Sequence, residues 1–445
     1  MPMGLHTAGT TVPRTSPAAP AVSRSYAWLV FALSFGLLLS DYMSRQVLNA
    51  VFPLLKAEWL LSDAELGSLS GIVALMVGVL TFPLSLLADR WGRVRTLVIA
   101  ATAWSLATLG CAISASYGQM FLGRFMVGVG EAAYGSVGIA VVLSVFPIGL
   151  RATLSGAFIA GGSFGSVLGV SAGGVIAQEH GWRWAFGAMG IFGLVLAAVY
   201  GLVVTEKRLG PASVRNSAVS GERAPIRTQL PRLFSSVSVV CAYIGSGLQM
   251  FIAMALLAWI PSFLNRYYDM PPAKAGLAAG VFALISGIGM ILCGIVADRL
   301  SRKAAARKWI VAIVCALGSF VLLMAGFHLP VGPLQLVLIA AGTLVAGGTA
   351  GPAAAMVANL TPAAIAATAF ATLTLANSLL GLAPGPAVTG MLADHLGLLG
   401  ALQVIPLVAL ASSVAFTIGT FSYENDLRRL GLLPGPALKT PELQS

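Results

Sequence analysis

The sequence predicts an all-α integral membrane protein, with twelve transmembrane helices arranged as two six-helix bundles. Three observations carry that prediction. The chain has 445 residues, 58% of them hydrophobic and only 9% charged, with a mean hydropathy of +0.90, whereas a soluble domain carries about 25% charged residues. Apolar stretches long enough to cross roughly 30 Å of hydrocarbon recur along the whole length. The longest polar interior segment, residues 206–233, is rich in Ser, Arg and Pro and divides these stretches into two groups of six.

In chain order the expected spans are 25–49, 65–88, 94–115, 118–144, 151–177 and 184–205, then 234–262, 274–297, 307–328, 332–358, 363–392 and 398–421. The organisation is therefore a tail (1–24), a first bundle (25–205), a linker (206–233), a second bundle (234–421) and a second tail (422–445). The first tail, rich in Pro, Ala, Ser and Thr, lacks a long apolar core and reads as disordered rather than as a cleavable signal. With both termini inside, 20 of the 26 Lys and Arg fall in interior segments and four (Lys56, Arg183, Arg266, Lys274) in outer loops. That asymmetry makes both termini cytoplasmic.

The halves also repeat. Leu87-Ala88-Asp89-Arg90 after span 2 is echoed 209 residues later by Val296-Ala297-Asp298-Arg299 after span 8. Ser166-Val167-Leu168-Gly169 in span 5 is echoed 212 residues later by Ser378-Leu379-Leu380-Gly381 in span 11. Parallel repeats with a site at the midplane between them are a transporter architecture.

Charges inside the spans mark the candidate site. Arg124 and Glu131 lie seven residues apart in span 4, nearly two turns, and so share a face. A charge at the centre of a membrane helix costs on the order of 3 kcal/mol, so a pair is expected to face a polar cavity, where it binds cargo or forms a structural ion pair. Span 1 adds Asp41 and Arg45, an i, i+4 pair. Away from their ends, where Lys274, Asp298, Arg307, Lys308 and Asp394 lie, the spans of the second half hold no Asp, Glu, Lys or Arg and offer Gln249, Asn359, Thr372, Asn377, Tyr243 and Trp259. A cavity charged on one wall and largely apolar on the other suits a cargo with a charged head and an apolar body. Glu131 is the expected proton carrier, because a carboxyl group in low dielectric gives up its charge more readily than one in water. Arg124 and Arg45 are the expected anion contacts, since a guanidinium grips a carboxylate as a fork. With all four groups ionised the charges cancel, and one proton leaves +1, which invites an anion.

Other classes find little support. The formal charge of +11 is spread over short loops rather than in a patch with aromatics, which argues against nucleic acid. Cys111, Cys241, Cys293 and Cys315 lie singly, and the four His are isolated, so no metal or redox cofactor site is expected. Neither a P-loop nor a nucleophile–base pattern appears, so no enzyme activity is expected.

Ser85-Leu86-Leu87-Ala88-Asp89-Arg90-Trp91-Gly92-Arg93 and its second copy Gly294-Ile295-Val296-Ala297-Asp298-Arg299-Leu300-Ser301-Arg302 resemble the G-x-x-x-D-R-x-G-R loop signature of the major facilitator superfamily. The resemblance implies a gating role for Asp89, Arg90, Arg93, Asp298 and Arg299, which would clasp the halves on the cytoplasmic side. Arg124-x-x-x-Gly128-x-Gly130 resembles the span-4 motif of that superfamily. Asp41-Tyr42-Met43-Ser44-Arg45 resembles the N-Y-x-D-R signature of its anion:cation symporter and spinster-like branches, with Asp41 at the usual Asn and Ser44 at the usual acid. That shift passes the proton-coupling role of the acid to Asp41, one turn earlier. Arg124 through Ala132 reads like their R-x-x-x-G-x-G-E-A segment, and Tyr134 leans towards the spinster-like branch. Gly181-Trp182-Arg183-Trp184-Ala185-Phe186 and Trp259-Ile260-Pro261-Ser262-Phe263 match further segments of both branches.

The resemblance implies a monomeric, proton-coupled symporter of a small organic anion in the plasma (inner) membrane, working by alternating access. Tyr134, Gln249, Trp259, Asn359 and Asn377 would complete its substrate contacts. The alternative is a spinster-like carrier of a lysolipid or another amphipath. A non-transporting receptor or scaffold would need neither the duplicated loop signature nor the intramembrane charges.

Overall fold

The computed structural model describes residues 23–147, 150–206, 234, 236–301, 306–361 and 366–429. The tail before residue 23, the linker 207–233 and the tail after residue 429 lie outside the described residues. In the first half, α1 (Arg24–Trp59), α2 (Asp63–Trp91), α3 (Arg93–Ala112), α4 (Tyr117–Glu131), α5 (Tyr134–Val145), α6 (Arg151–His180) and α7 (Trp182–Val203) make six crossings, because α4 and α5 are one span broken at Ala132–Ala133. The second half holds α8 (Val237–Tyr267), α9 (Pro272–Ser301), α10 (Arg307–His328), α11 (Pro333–Gly347), α12 (Ala350–Leu360), α13 (Ala366–Asn377), a π-helical turn (Ser378–Leu382), α14 (Pro384–Val404) and α15 (Val408–Arg429). Length and apolarity alone distinguish eleven crossings among the described residues, the last running from Thr368 to Arg429. Gly397, at φ 73° and ψ 159°, divides that stretch in two and restores the count to twelve; left-handed backbone of this kind favours glycine.

A Pro-Gly-Pro run inside span 11 would be expected to kink it, but Pro384-Gly385-Pro386 is not itself the kink. The helix is disrupted just upstream, in the π turn, and Pro384 stands at the first position of α14, where a missing N–H costs nothing. The span-5 echo is also one helical turn out of register. Gly165 packs on the Leu39 carbonyl and Gly381 on the Gly247 carbonyl, so spans 5 and 11 correspond at 381 − 165 = 216 residues. Spans 1 and 7 correspond at 247 − 39 = 208. Because Gly161, Gly165, Gly169 and Gly173 recur every four residues, a shift of four leaves the pattern looking the same. The 209-residue spacing of spans 2 and 8 holds, with Gly67 on the Pro386 carbonyl and Gly276 on the Val170 carbonyl.

Each half begins and ends at one level. The Tyr26 hydroxyl meets the Val203 carbonyl and the Thr205 N–H, while Asp426 accepts from the Ser236 hydroxyl and the Ser238 N–H. This is the linker end, and the opposite end is the far end. The halves meet along two equivalent seams, α2 against α14 and α6 against α9, where glycines set backbone directly on backbone.

Among the described residues, the hydrogen bonds that join the halves lie towards the far end. Asp394 of α14 caps α2, its carboxylate accepting the N–H groups of Asp63 (2.7 Å) and Ala64 (2.9 Å). In the other seam Gln178 of α6 caps α9 by accepting the Ala273 N–H (3.0 Å), and the Ser171 hydroxyl donates to the Gly276 carbonyl. These N–H groups have no partner within their own helices. The Asp63 carboxylate takes both Arg266 nitrogens across the divide, at 2.6 and 2.8 Å, and Lys56 of its own half at 2.6 Å. Phe52 packs on Trp259 beneath, with ring centroids 5.2 Å apart.

Candidate functional site

The R-x-x-x-G-x-G glycines explain how α4 is placed. Gly128 lies against Val73 and Met76 of α2, and Gly130 against the Trp104 backbone of α3, leaving no room for a side chain at either position. Wedged there, α4 presents Arg124 and Glu131 to α1. They do not pair with each other. Arg124, 1% exposed, donates to three backbone carbonyls: Ser44 (2.8 Å) and Arg45 (3.1 Å) of α1, and Leu69 (3.3 Å) of α2. It is a three-way brace between helices rather than an open fork.

Glu131 engages α1 instead. Its Oε1 accepts the Ser44 hydroxyl at 2.8 Å. Its Oε2 lies 2.7 Å from Arg45 Nε without receiving a hydrogen bond. The Arg45 N–H groups point to Asp41, with Nε and Nη2 at 3.3 and 3.2 Å from Oδ1. One guanidinium is thus held between two buried carboxylates. Asp41 and Glu131 are 2% and 1% exposed, while the Arg45 side chain keeps 19% of its surface. Arg45 also lies over the Tyr42 ring, 5.1 Å from its centroid.

Tyr42 forms the edge of a cavity of about 240 Å³ between the halves. Ser163 and Ser166 of α6 line it from the first half, and Met250 and Met254 of α8, Phe282 of α9 and Thr343 of α11 from the second. The repeat accounts for its apolar character. Shifted by 208 residues, Asp41, Tyr42 and Arg45 become Gln249, Met250 and Ala253, and shifted by 216, Arg124 and Glu131 become Ala340 and Gly347. Met250, Ala253 and Gly347 all line the cavity. Where the first half carries Arg45, Arg124 and Glu131, the second half has only Ala and Gly, and the one polar equivalent, Gln249 for Asp41, does not line the cavity.

The remaining expected contacts sit elsewhere. Tyr134 is fully buried in the first bundle against Trp104 and Phe158 and donates its hydroxyl to the Ser34 carbonyl. Trp259 is fully buried and donates to the Pro386 carbonyl (3.0 Å). Gln249, also fully buried, reaches Ser319 at 3.4 Å, and its Oε1 has no partner among the described residues. None of the three lines the cavity. Asn359 is exposed near the linker end of α12, and Asn377, with an unpartnered buried Oδ1, stands just before the π turn. At the linker end, Arg90, Asp298 and Arg299 are exposed, and Asp298 lies 3.8 Å from Lys308 of its own half. Arg93 opens α3, whose Val94 N–H is taken by Glu206 (2.8 Å). The Asp89 side chain lies outside the described residues. Ser44, Tyr42 and the cavity methionines were not expected as site residues. Only Ser44 carried a signal, as the position where the branch signature has its acid.

Residues 34–386 match the Major Facilitator Superfamily profile. The chain is 24% identical over 383 residues to an uncharacterized transporter of Bacillus subtilis (strain 168), covering 83% of this chain and 88% of that one. It is 25% identical over 431 residues to the D-galactonate transporter of Escherichia coli O6:H1, covering 91% and 97%. Among solved structures, a bacterial homolog of the human lysosomal transporter Spinster, inward-facing and unoccupied, superposes with a TM-score of 0.80 at 19% identity, covering 91% of this chain and 99% of that one.

Proposed function

The chain belongs to the Major Facilitator Superfamily, and on that premise we propose that this membrane transporter carries a small organic anion, a carboxylate, together with a proton by alternating access. The observation that supports this most is the position of Arg45. It is gripped by two buried carboxylates yet borders the cavity through Tyr42. A proton taken up on Glu131 Oε2, the oxygen that receives no hydrogen bond, removes one of the two negative charges facing Arg45. The guanidinium is then free to take a carboxylate in its fork. Proton and anion entry are linked because each completes the neutralisation that the other leaves unfinished. Arg124, committed to backbone carbonyls, holds α1, α2 and α4 in register for this exchange.

With the linker end in the cytoplasm of a bacterial-type inner membrane, as the Lys/Arg asymmetry indicates, closure at the far end corresponds to an inward-facing state. An apolar wall also suits a lysolipid, the second reading. The cavity of about 240 Å³ is ample for a compact anion.

Proteoliposome transport tests the proposal. Glu131→Gln should lose proton-driven accumulation of an identified substrate and keep counterflow exchange. Arg45→Ala should lose both. Normal proton-driven accumulation by Glu131→Gln would move the proton site elsewhere.

A further inference from the structure

The cavity lining defines the body of the substrate, an inference that rests on the organic-anion reading above. Among the described residues, no amide, carboxylate, imidazole, ammonium or guanidinium side chain lines the cavity. Its polar groups are five hydroxyls, and two of these are already committed: Ser166 donates to the Gly162 carbonyl (2.9 Å) and Thr343 to the Ile339 carbonyl (2.8 Å). Tyr42, Ser163 and Ser286 remain as free donors. Met250, Met254, Met290, Leu257, Ile260 and Phe282 supply most of the rest. Thioethers adapt their shape and pack well against ring edges.

A polyhydroxylated acid has a hydroxyl on nearly every carbon, and each must find a partner once water is excluded. This cavity would leave most of them unpaired, and the cost of unpaired buried polar groups decides such discrimination. A ring or branched hydrocarbon body makes no such demand, and its carboxylate meets Arg45 at the Tyr42 edge. We infer that this transporter takes monocarboxylates with a compact apolar body, aromatic or alicyclic, and rejects polyhydroxylated acids. Specificity then resides in the second half, whose wall lacks polar side chains at the positions equivalent to Arg45 and Glu131.

The test is binding to the purified full-length protein in lipid nanodiscs, by calorimetry, followed by proteoliposome uptake at an acid-outside gradient. The probes are benzoate, cyclohexanecarboxylate, gluconate, the neutral control benzamide and a lysophospholipid. Benzoate or cyclohexanecarboxylate should bind at least about tenfold more tightly than gluconate and be taken up, and benzamide should not bind. Met254→Gln, which places an amide in the apolar wall at similar volume, should narrow that preference about tenfold. A second variant in the same wall, Met250→Gln, should narrow it in the same direction. Gluconate binding and uptake equal to or better than benzoate would overturn the apolar-body inference and leave the organic-anion reading intact. Uptake of the lysophospholipid with none of any carboxylate would overturn both.

Discussion

Arg266 is the residue whose loss should change the conformational balance without touching the site. It crosses from α8 to Asp63 of α2 through two nitrogens, at 2.6 and 2.8 Å, with the Asp63 side chain 4% exposed and its own 24%. A charge-assisted bidentate contact of this kind is worth about 1.5–3 kcal/mol. Partial exposure of the arginine places it at the lower end, about 1.5 kcal/mol. Lys56 lies 2.6 Å from Asp63 within the same half, so separation of the halves does not require that contact to break. Arg266→Gln therefore removes a contact present only when the far end is closed, and should shift the equilibrium towards far-end opening by about tenfold. Lys56→Gln removes a contact within one half and should shift it little. Spin labels at 115 and 331, one on each half at the far end, would report the shift as growth of a longer-distance population in double electron–electron resonance. An equal shift from both variants, or a shift towards closure from Arg266→Gln, would refute the argument.

Other expectations follow from the same contacts. Trp259→Phe keeps the ring packed on Phe52 and loses only the bond to the Pro386 carbonyl, so thermal unfolding should show a loss of about 1 kcal/mol and transport assays an unchanged KM. Arg124→Lys cannot reach three carbonyls on two helices, so the yield of monodisperse protein in detergent should fall sharply at pH values where Glu131→Gln is well behaved. Gly130→Ala places a Cβ 2.6 Å from the Trp104 nitrogen, a backbone atom with no way to yield, and should abolish folded protein by size-exclusion chromatography. Tags inserted within 215–223 and at the C-terminus should both be protected in intact spheroplasts and cleaved in inverted vesicles.

How much of this was legible in the sequence depended on what kind of group did the work. The spans could be read because hydrocarbon thickness imposes a length that sequence displays. Asp41, Arg45 and Glu131 could be picked out because charge inside a span is rare, and the structure does gather them. The partners of Arg124 could not, because they are backbone carbonyls, and every residue has one. Tyr134, Gln249 and Trp259 were chosen by residue type, whereas burial on the bundle side rather than the cavity side is set by how the helices are rotated. The breaks at Ala132–Ala133 and at Gly348–Thr349 carry no proline to announce them. Lys56 and Arg266 entered the topology count as loop charges. Their convergence on Asp63 depends on three helix ends meeting, which no local pattern encodes.

The two far-end seams have one further consequence, for insulation. Where Gly67 meets the Pro386 carbonyl and Gly276 the Val170 carbonyl, no side chain lies between the halves. A barrier of interlocked side chains leaks whenever a rotamer flips, on the picosecond to nanosecond scale. A barrier of peptide planes in direct contact has no such fast mode, and admits water or a stray proton only when whole helices part, on the microsecond to millisecond scale. Under the proton coupling proposed above, such a barrier keeps the gradient intact while the site waits for cargo. On this view the glycines act as the dielectric of a capacitor, and a Gly276→Ser variant would be expected to discharge a pH gradient across liposomes even with no substrate present.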